Sequence, residues 1–266
     1  MARRITQKYP TRIDIYSIEG IGEVKFANWE NPLVQAKEIS IKQVDFFRQF
    51  LSDNDLAIDI GANIGFMSLP ISLAMGPKSM TLAFDPNPFV FNVLKENTLL
   101  NPEHTRIIPY HYAITETDDE FYYNSSEASF NNGGISRRRH SRHGKYELEN
   151  KVKGIKLEKF LRQNYPDAIE KLKLIKINTE GYDVAIIKSI ANLLSSHQPV
   201  IFTECYAHAT EEERFEHYQI LKTIGYQLYY ISSYEIDAEL IPLEKKEDML
   251  KWNHFDFYGI FPQVNA

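Results

Sequence analysis

The stretch Leu56–Gly65, LAIDIGANIG, constrains the chain more than any other. Its first five residues are an apolar run of the length of a buried strand, and Gly61-Ala62-Asn63-Ile64-Gly65 follows directly. Phe66-Met67-Ser68-Leu69 through Ala74-Met75 then reads as a helix, stopped by Gly76-Pro77. Strand, glycine-rich turn and helix make the first βα unit of a nucleotide-type fold. Gly61 would let the chain turn sharply. Gly65 would let helix and strand pack closely, or let a ligand lie against bare backbone. The free N–H groups at the helix start, with the positive end of the helix dipole behind them, favour an anionic ligand group.

The spacing narrows the ligand. A dinucleotide fingerprint reads G-x-G-x-x-G, whereas this turn reads G-x-x-x-G, and no Gly-Lys-Ser/Thr triplet follows as in a phosphate-binding P-loop. A second apolar run, Met80–Phe84, ends in Asp85, about 20 residues beyond Gly65, where a carboxylate at a strand tip can hold a ribose diol. A ligand with a ribose and a small anionic end, but no pyrophosphate, fits both features. S-adenosylmethionine (SAM) is such a ligand, because its carboxylate can sit over the Gly61–Gly65 turn. The plain alternative is an ordinary βα turn in an unrelated α/β protein; Asp59 and Asp85, each at a strand end, argue against it.

The remaining chain repeats strand and helix. Alternation over residues 11–29 signals a hairpin, and Ile39–Leu51 shows a helix face. Pro88–Leu100 reads as a helix, Thr105–Tyr110 as a strand and Asp118–Tyr123 as a short extra strand. Ser125–Lys145 is the least regular part. Val152–Leu157 looks extended and Glu158–Asn164 helical, Leu172–Asn178 is a strand, Gly181–Leu194 a helix and Val200–Glu204 a strand. Glu211–Thr223 is a helix, and Tyr226–Ile231 and Phe255–Phe261 are the last strands. Such alternation predicts an α/β fold with a mainly parallel sheet and helices on both faces. The expected division is an N-terminal extension with a β-hairpin over 1–37 and one large domain over 38–266, with an irregular loop at 125–147. Ligands in such sheets bind at the carboxyl ends of the strands, which places Asp59, Asp85, Tyr110–Ala113, Asn178–Gly181 and Glu204 around one crevice.

Composition excludes some partners. With 266 residues and a net charge of −6, the chain is a poor candidate for general nucleic-acid binding. The lone Cys205 cannot form an intramolecular disulfide and suits a reducing compartment. Basic residues at Arg3, Arg4 and Lys8 are not followed by an apolar signal region, and no run is long enough to span a bilayer. A cytoplasmic location is the expectation.

Several motifs together resemble the FkbM-type SAM-dependent methyltransferases: Asp59–Gly65, Phe84-Asp85-Pro86-Asn87-Pro88, Asn97 with Asn101, Ala113, and Lys176-Ile177-Asn178-Thr179-Glu180-Gly181, in that order and spacing. The resemblance covers about residues 55–230. It implies a seven-stranded, Rossmann-like class I methyltransferase sheet, SAM as cofactor, and methyl transfer to an oxygen of a sugar, polyketide or other small metabolite. By position, Asp59, Gly61, Ala62, Asn63 and Gly65 would hold the methionine part of SAM. Asp85, with Pro86 and Asn87, would take the ribose, Ala113 would lie near the adenine, and Asn178–Gly181 would face donor and acceptor. Two residues depart from the family pattern: Asn178 stands where Asp is usual, and Asp85 where Glu is commoner.

An alcohol acceptor needs a base. Glu180 and Glu204 lead as candidates, followed by His208 and His111; Lys176, in an apolar strand, is either held at the site or runs its stem to solvent. The two glutamates could also flank a Mg²⁺ ion, although no metal site is expected from so few ligands. The basic run Arg137–Arg142 reads as a solvated loop, or as an arm recognising an acceptor phosphate or carboxylate. Asn131-Asn132-Gly133-Gly134-Ile135-Ser136 just before it resembles a Gly- and Ser-containing segment of the family, which implies a loop closing over the site. Two rival functions remain: a non-catalytic SAM-binding protein, and an NAD-type oxidoreductase disfavoured by the turn spacing.

Overall fold

The computed structural model describes residues 8–139 and 143–262. The chain begins with a hairpin of β1 (Thr11–Ile18) and β2 (Gly22–Trp29), followed by α1 (Ile41–Arg48). Ser40 and Gln43 form a reciprocal capping box that starts α1 at Ile41, just inside the expected span. Then come β3 (Leu56–Ile60), α2 (Ser68–Met75), β4 (Met80–Phe84), α3 (Pro88–Asn97) and β5 (Ile107–Tyr110). A second group of strands follows: β6 (Ala113–Ile114), β7 (Asp119–Ser125), β8 (Gly134–Ser136), β9 (Tyr146–Glu147) and β10 (Val152–Ile155). The chain continues through α4 (Leu157–Asn164), β11 (Leu172–Ile177), α5 (Asp183–Ser189), α6 (Ala191–His197) and β12 (Val200–Cys205). It closes with α7 (Glu211–Ile224), β13 (Gln227–Ile231), β14 (Leu240–Leu243) and β15 (Phe255–Ile260).

Among the described residues the main sheet has eight strands in the order β14-β13-β15-β12-β11-β3-β4-β5. The α/β class is as expected, and an extra edge strand, β14, joins the expected seven. The β12-β11-β3-β4-β5 part is parallel, whereas β15, β13 and β14 pair antiparallel. The chain leaves β3 toward β4 and β5 on one side and returns to β11 on the other. The gap between the ends of β3 and β11 is therefore the switch point where such sheets take ligands.

Strand alternation sorts the core into two layers. Leu56, Ile58 and Ile60 of β3, with Ile175 and Ile177 of β11, pack with Leu161, Ile187, Leu193 and Leu221 from the helices after β10. Ala57 and Leu174 face the opposite way, toward Phe47 of α1 and Ile71 of α2. Asp59 and Lys176 sit opposite each other in the β3–β11 ladder, on this second face.

Three expectations change in detail. The helix expected over 181–194 is two helices that meet at Ile190. The helix after the glycine turn starts at Ser68, because Phe66 and Met67 still belong to the turn. The irregular segment 125–147 is partly ordered, since β8 and β9 both pair with β7.

Asn97 and Asn101 act as side-chain substitutes for a neighbouring strand. Asn97 Oδ1 accepts from Ala27 N (2.6 Å), and its Nδ2 donates to Ala27 O (3.1 Å) and Ile64 O (2.8 Å). Asn101 closes the same two-way bond with the Lys25 N–H and C=O, both at 2.8 Å. These bonds fasten β2 and the glycine turn to α3. Asn97→Ala would leave the buried Ala27 amide and carbonyl and the Ile64 carbonyl unpaired, and is expected to cost about 2 kcal/mol. Chemical denaturation measures it; a loss below about 0.5 kcal/mol would contradict the assignment.

Candidate active site

A cavity of about 470 Å³ opens at the switch point. Its floor is the end of β3 and the glycine turn. Gly61 N and Ala62 N both donate to Phe84 O, at 2.9 and 3.0 Å, and Asn178 N donates to Ile60 O at 3.0 Å. These bonds tie the three central strand ends together. Gly61 has φ +76, and a Cβ there would lie 1.8 Å from Asn178 O. Glycine is required by contact with the neighbouring strand as well as by the turn.

Asp85 stands on one wall. Its Oδ2 accepts from Asn63 N and its Oδ1 from Asn87 N, each at 2.8 Å. Burial raises its pKa to about 6, with the two backbone N–H groups opposing the rise. Asn87 itself caps α3, accepting from Phe89 N (3.0 Å), and its Nδ2 donates to Phe130 O. It therefore locks the 125–133 segment beside Asp85 without lining the cavity. Pro86, Ala113, Tyr112, Ile114 and Asn63 do line it.

The opposite wall carries Asn178, Thr179 and Glu180. Glu180 is half-buried in the left-handed region (φ 58), which turns its carboxyl off the strand axis. Burial raises its pKa, and His254 and His208 partly offset the rise. Behind it, Asp183 receives bonds from Thr179 Oγ1 (2.9 Å) and Gly181 N (3.2 Å), and burial raises its carboxyl to about 6.

Not every sequence candidate reaches the cavity. Asp59 is fully buried beneath it, where its Oδ2 accepts from Ser68 Oγ (2.6 Å) and its Oδ1 from Lys176 Nζ (3.1 Å). The Lys176 stem does not run to solvent: the residue is buried, lines the cavity floor and commits its ammonium to Asp59. Gly65 packs on α3, where a Cβ would lie 2.9 Å from Leu94 Cδ1. Glu204 lines a second, smaller cavity of about 240 Å³ and contacts His254 Nε2. Burial first, and the nearby Asp183, Glu180 and Asp256 carboxyls next, push Glu204 up to about 9, so it holds its proton at neutral pH. His208 packs edge-on against Tyr206 outside the main cavity, and His111 stacks on Phe91. Among the described residues no group of three or more His, Cys, Asp or Glu side chains is arranged to hold a metal ion.

The described part of the basic run, Arg137–Arg139, is exposed. Arg137 pairs with Asp119 (3.1 Å) and lies over the Phe121 ring, and Arg139 pairs with Glu147 (3.0 Å). Residues 140–142 of that run, like Arg3 and Arg4, lie outside the described residues.

Tyr123 and the 33–37 segment are the lining groups that sequence reasoning missed, whereas the Asn131–Ser136 loop lies beside the site as its resemblance to a family segment implies. Tyr123 is buried among Asp85, Asn87 and Glu180, and its hydroxyl pKa is raised well above the usual value, mainly by burial. Asn131–Ile135 close one side, with Asn131 O accepting from Asn63 Nδ2 (3.2 Å). Leu33, Val34, Gln35 and Lys37 close another. The motif Asn131-Asn132-Gly133-Gly134 signals a turn; nothing local marks Tyr123 or the 33–37 segment as part of a site.

The chain is similar to several known methyltransferases. The family described as the methyltransferase FkbM domain matches residues 59–230. A hexuronic acid methyltransferase from Haloferax volcanii is 22% identical over 197 residues, covering 73% of this chain and 70% of that protein. A methyltransferase from Sordaria araneosa is 24% identical over 161 residues, covering 53% of this chain and 62% of that protein. Among solved structures, methyltransferase FkbM from Methylobacillus flagellatus KT has a TM-score of 0.47 at 14% identity, covering 78% of this chain and 44% of that one.

Proposed function

Because the chain belongs to the FkbM family of methyltransferases, we propose that it uses SAM to methylate a hydroxyl oxygen of a small acceptor. The observation that carries this reading is one cavity with Asp85 on one wall and Asn178–Glu180 on the other. The donor set fits SAM: a carboxylate for the ribose diol, a neutral amide at Asn178 for the amino group, and no basic cradle for a pyrophosphate. Pro86 and the Tyr112–Ile114 edge form a flat apolar side for an adenine. The hexuronic acid methyltransferase among the relatives favours a sugar, and a sugar acid in particular, as acceptor. The working unit is the 38–266 domain, with the 33–37 segment of the N-terminal extension closing one side of its cavity.

When bound, SAM supplies a methyl group on a positively charged sulfur. This chain's part is to align, exclude water and take a proton. Glu180 is the residue that accepts the acceptor's hydroxyl proton, since its carboxyl lines the cavity on the wall of Asn178 and burial raises its basicity. Its negative charge also opposes a cationic donor. Tyr123 and the 131–135 segment shield the pair from solvent. Asn178, in place of the family's usual Asp, leaves Glu180 as the anionic side chain on that wall.

Calorimetric titration of the protein with SAM and S-adenosylhomocysteine is the first test, and absence of micromolar binding would sink the reading. Glu180→Gln is then expected to keep S-adenosylhomocysteine affinity within about twofold while kcat falls about a hundredfold. The assay measures methyl transfer to a panel of hexoses and hexuronic acids. An unchanged kcat would remove Glu180 as the base.

A further inference from the structure

We propose that Lys37 binds the carboxylate of the cofactor's methionine end, an inference that rests on reading the cavity as a SAM site. Lys37 lies outside the span of the family match, on the segment that links the hairpin to α1. Its backbone is clamped on both sides. Lys37 N donates to Asn28 Oδ1 (2.6 Å), and Lys37 O accepts from Tyr16 Oη (2.6 Å) and Asn28 Nδ2 (3.0 Å). Asn28 is itself buried and held by Asp14 Oδ2 (2.8 Å). A lysine in a connecting segment is thereby fixed at the cavity wall.

The ammonium has work available. Lys37 lines the cavity, and its Nζ lies 5.2 Å from the centroid of the Phe66 ring, in the turn that leads into α2. Among the described residues it has no carboxylate partner, whereas the cavity's other lysine, Lys176, is committed to Asp59. The side chains of Asp85 and Glu180 repel an anion from the two main walls. Phe66 and Met67 line the cavity with Lys37 and lead into α2, whose N-terminal end favours negative charge through the helix dipole. A carboxylate is welcome at this one edge, and the cofactor carries one.

The test compares two ligands on the wild type and Lys37→Met. S-adenosylhomocysteine carries the carboxylate; 5′-methylthioadenosine shares the adenine and ribose and lacks the amino-acid end. The variant is expected to bind S-adenosylhomocysteine at least about tenfold more weakly, as for the loss of a charged hydrogen bond, and methylthioadenosine within about twofold of wild type. Equal weakening of both ligands would mean a structural disturbance and overturn the proposal. Unchanged S-adenosylhomocysteine affinity would also overturn it. A carboxylate on the acceptor has the same chemistry; if Lys37 served that group, only the KM for hexuronic acids would rise, which counts against the assignment to the cofactor. Failure of the wild type to bind either nucleoside would instead defeat the parent reading.

Discussion

Gly61→Ala is expected to destabilise the protein by at least about 4 kcal/mol, beyond the range of ordinary point substitutions. The added methyl would lie 1.8 Å from Asn178 O and 2.8 Å from Asn178 C, and both are backbone atoms. A flexible side chain could swing aside; a strand end held by Asn178 N to Ile60 O at 3.0 Å cannot without breaking the central ladder. The φ of +76 adds strain for any residue with a Cβ. Since β3 and β11 are the middle of the sheet and Ile58 and Ile175 are fully buried, the distortion reaches the core. The midpoint of thermal unfolding should fall by about 10 °C or more, and S-adenosylhomocysteine should give it little rescue, because the same contact sets the cavity floor. Gly65→Ala is the control. Its Cβ would meet the Leu94 Cδ1 methyl at 2.9 Å, the far end of a side chain, and a loss of about 1–3 kcal/mol is expected. If Gly61→Ala unfolds within about 1 kcal/mol of wild type, the close approach of β3 and β11 is wrong.

Much of this arrangement could be read from the sequence, because its signals are local. The apolar run before Gly61, the turn and the helix that follows occupy one continuous stretch, and the second strand with Asp85 repeats the pattern. What could not be read depends on which face a side chain takes and on partners distant in sequence. Asp59 stands at a strand end, yet strand alternation turns it under the turn toward Ser68 and toward Lys176, 117 residues away. Glu204 satisfies the same strand-end rule, but the antiparallel β15 beside it brings His254 against its carboxyl, and Glu204 lines the smaller cavity instead. The 33–37 wall has no periodicity to detect. Its place is set by Asn28 and by the asparagine bonds that fix β2 to α3, contacts 70 and 76 residues apart. Likewise β8 and β9 are too short to announce themselves and exist because β7 offers free edges. The motif residues therefore located the cavity and supply its floor and two main walls, while Tyr123 and the 33–37 segment are brought to it only by the folded topology.

Asp85→Ala is expected to lower S-adenosylhomocysteine affinity about a thousandfold and to cost about 2–4 kcal/mol of stability. The affinity loss follows from removing a carboxylate that would accept two ribose hydroxyls, each such charged bond contributing about 1.5–3 kcal/mol. The stability loss follows from orphaning the Asn63 and Asn87 amides, which now donate to Asp85 at 2.8 Å each. The same carboxyl makes a pH prediction. Its pKa is raised to about 6, chiefly by burial, so the folded protein binds this proton more tightly than the unfolded chain does. Its contribution to stability is therefore full below the ordinary carboxylate pKa of 3.8 and is lost as pH rises through about 6. Ligand binding runs the other way, since only the ionised form can accept both hydroxyls. Wild-type affinity for S-adenosylhomocysteine should rise between pH 5 and pH 7 and level off above. Methylthioadenosine, which keeps the ribose, should follow the same curve. Asp85→Asn, nearly equal in size, should bind weakly and without that slope, which separates Asp85 from the Asp183 carboxyl raised to the same range. A flat wild-type profile, or a slope that survives in Asp85→Asn, would take the ribose contact away from this residue and move the cofactor elsewhere in the cavity.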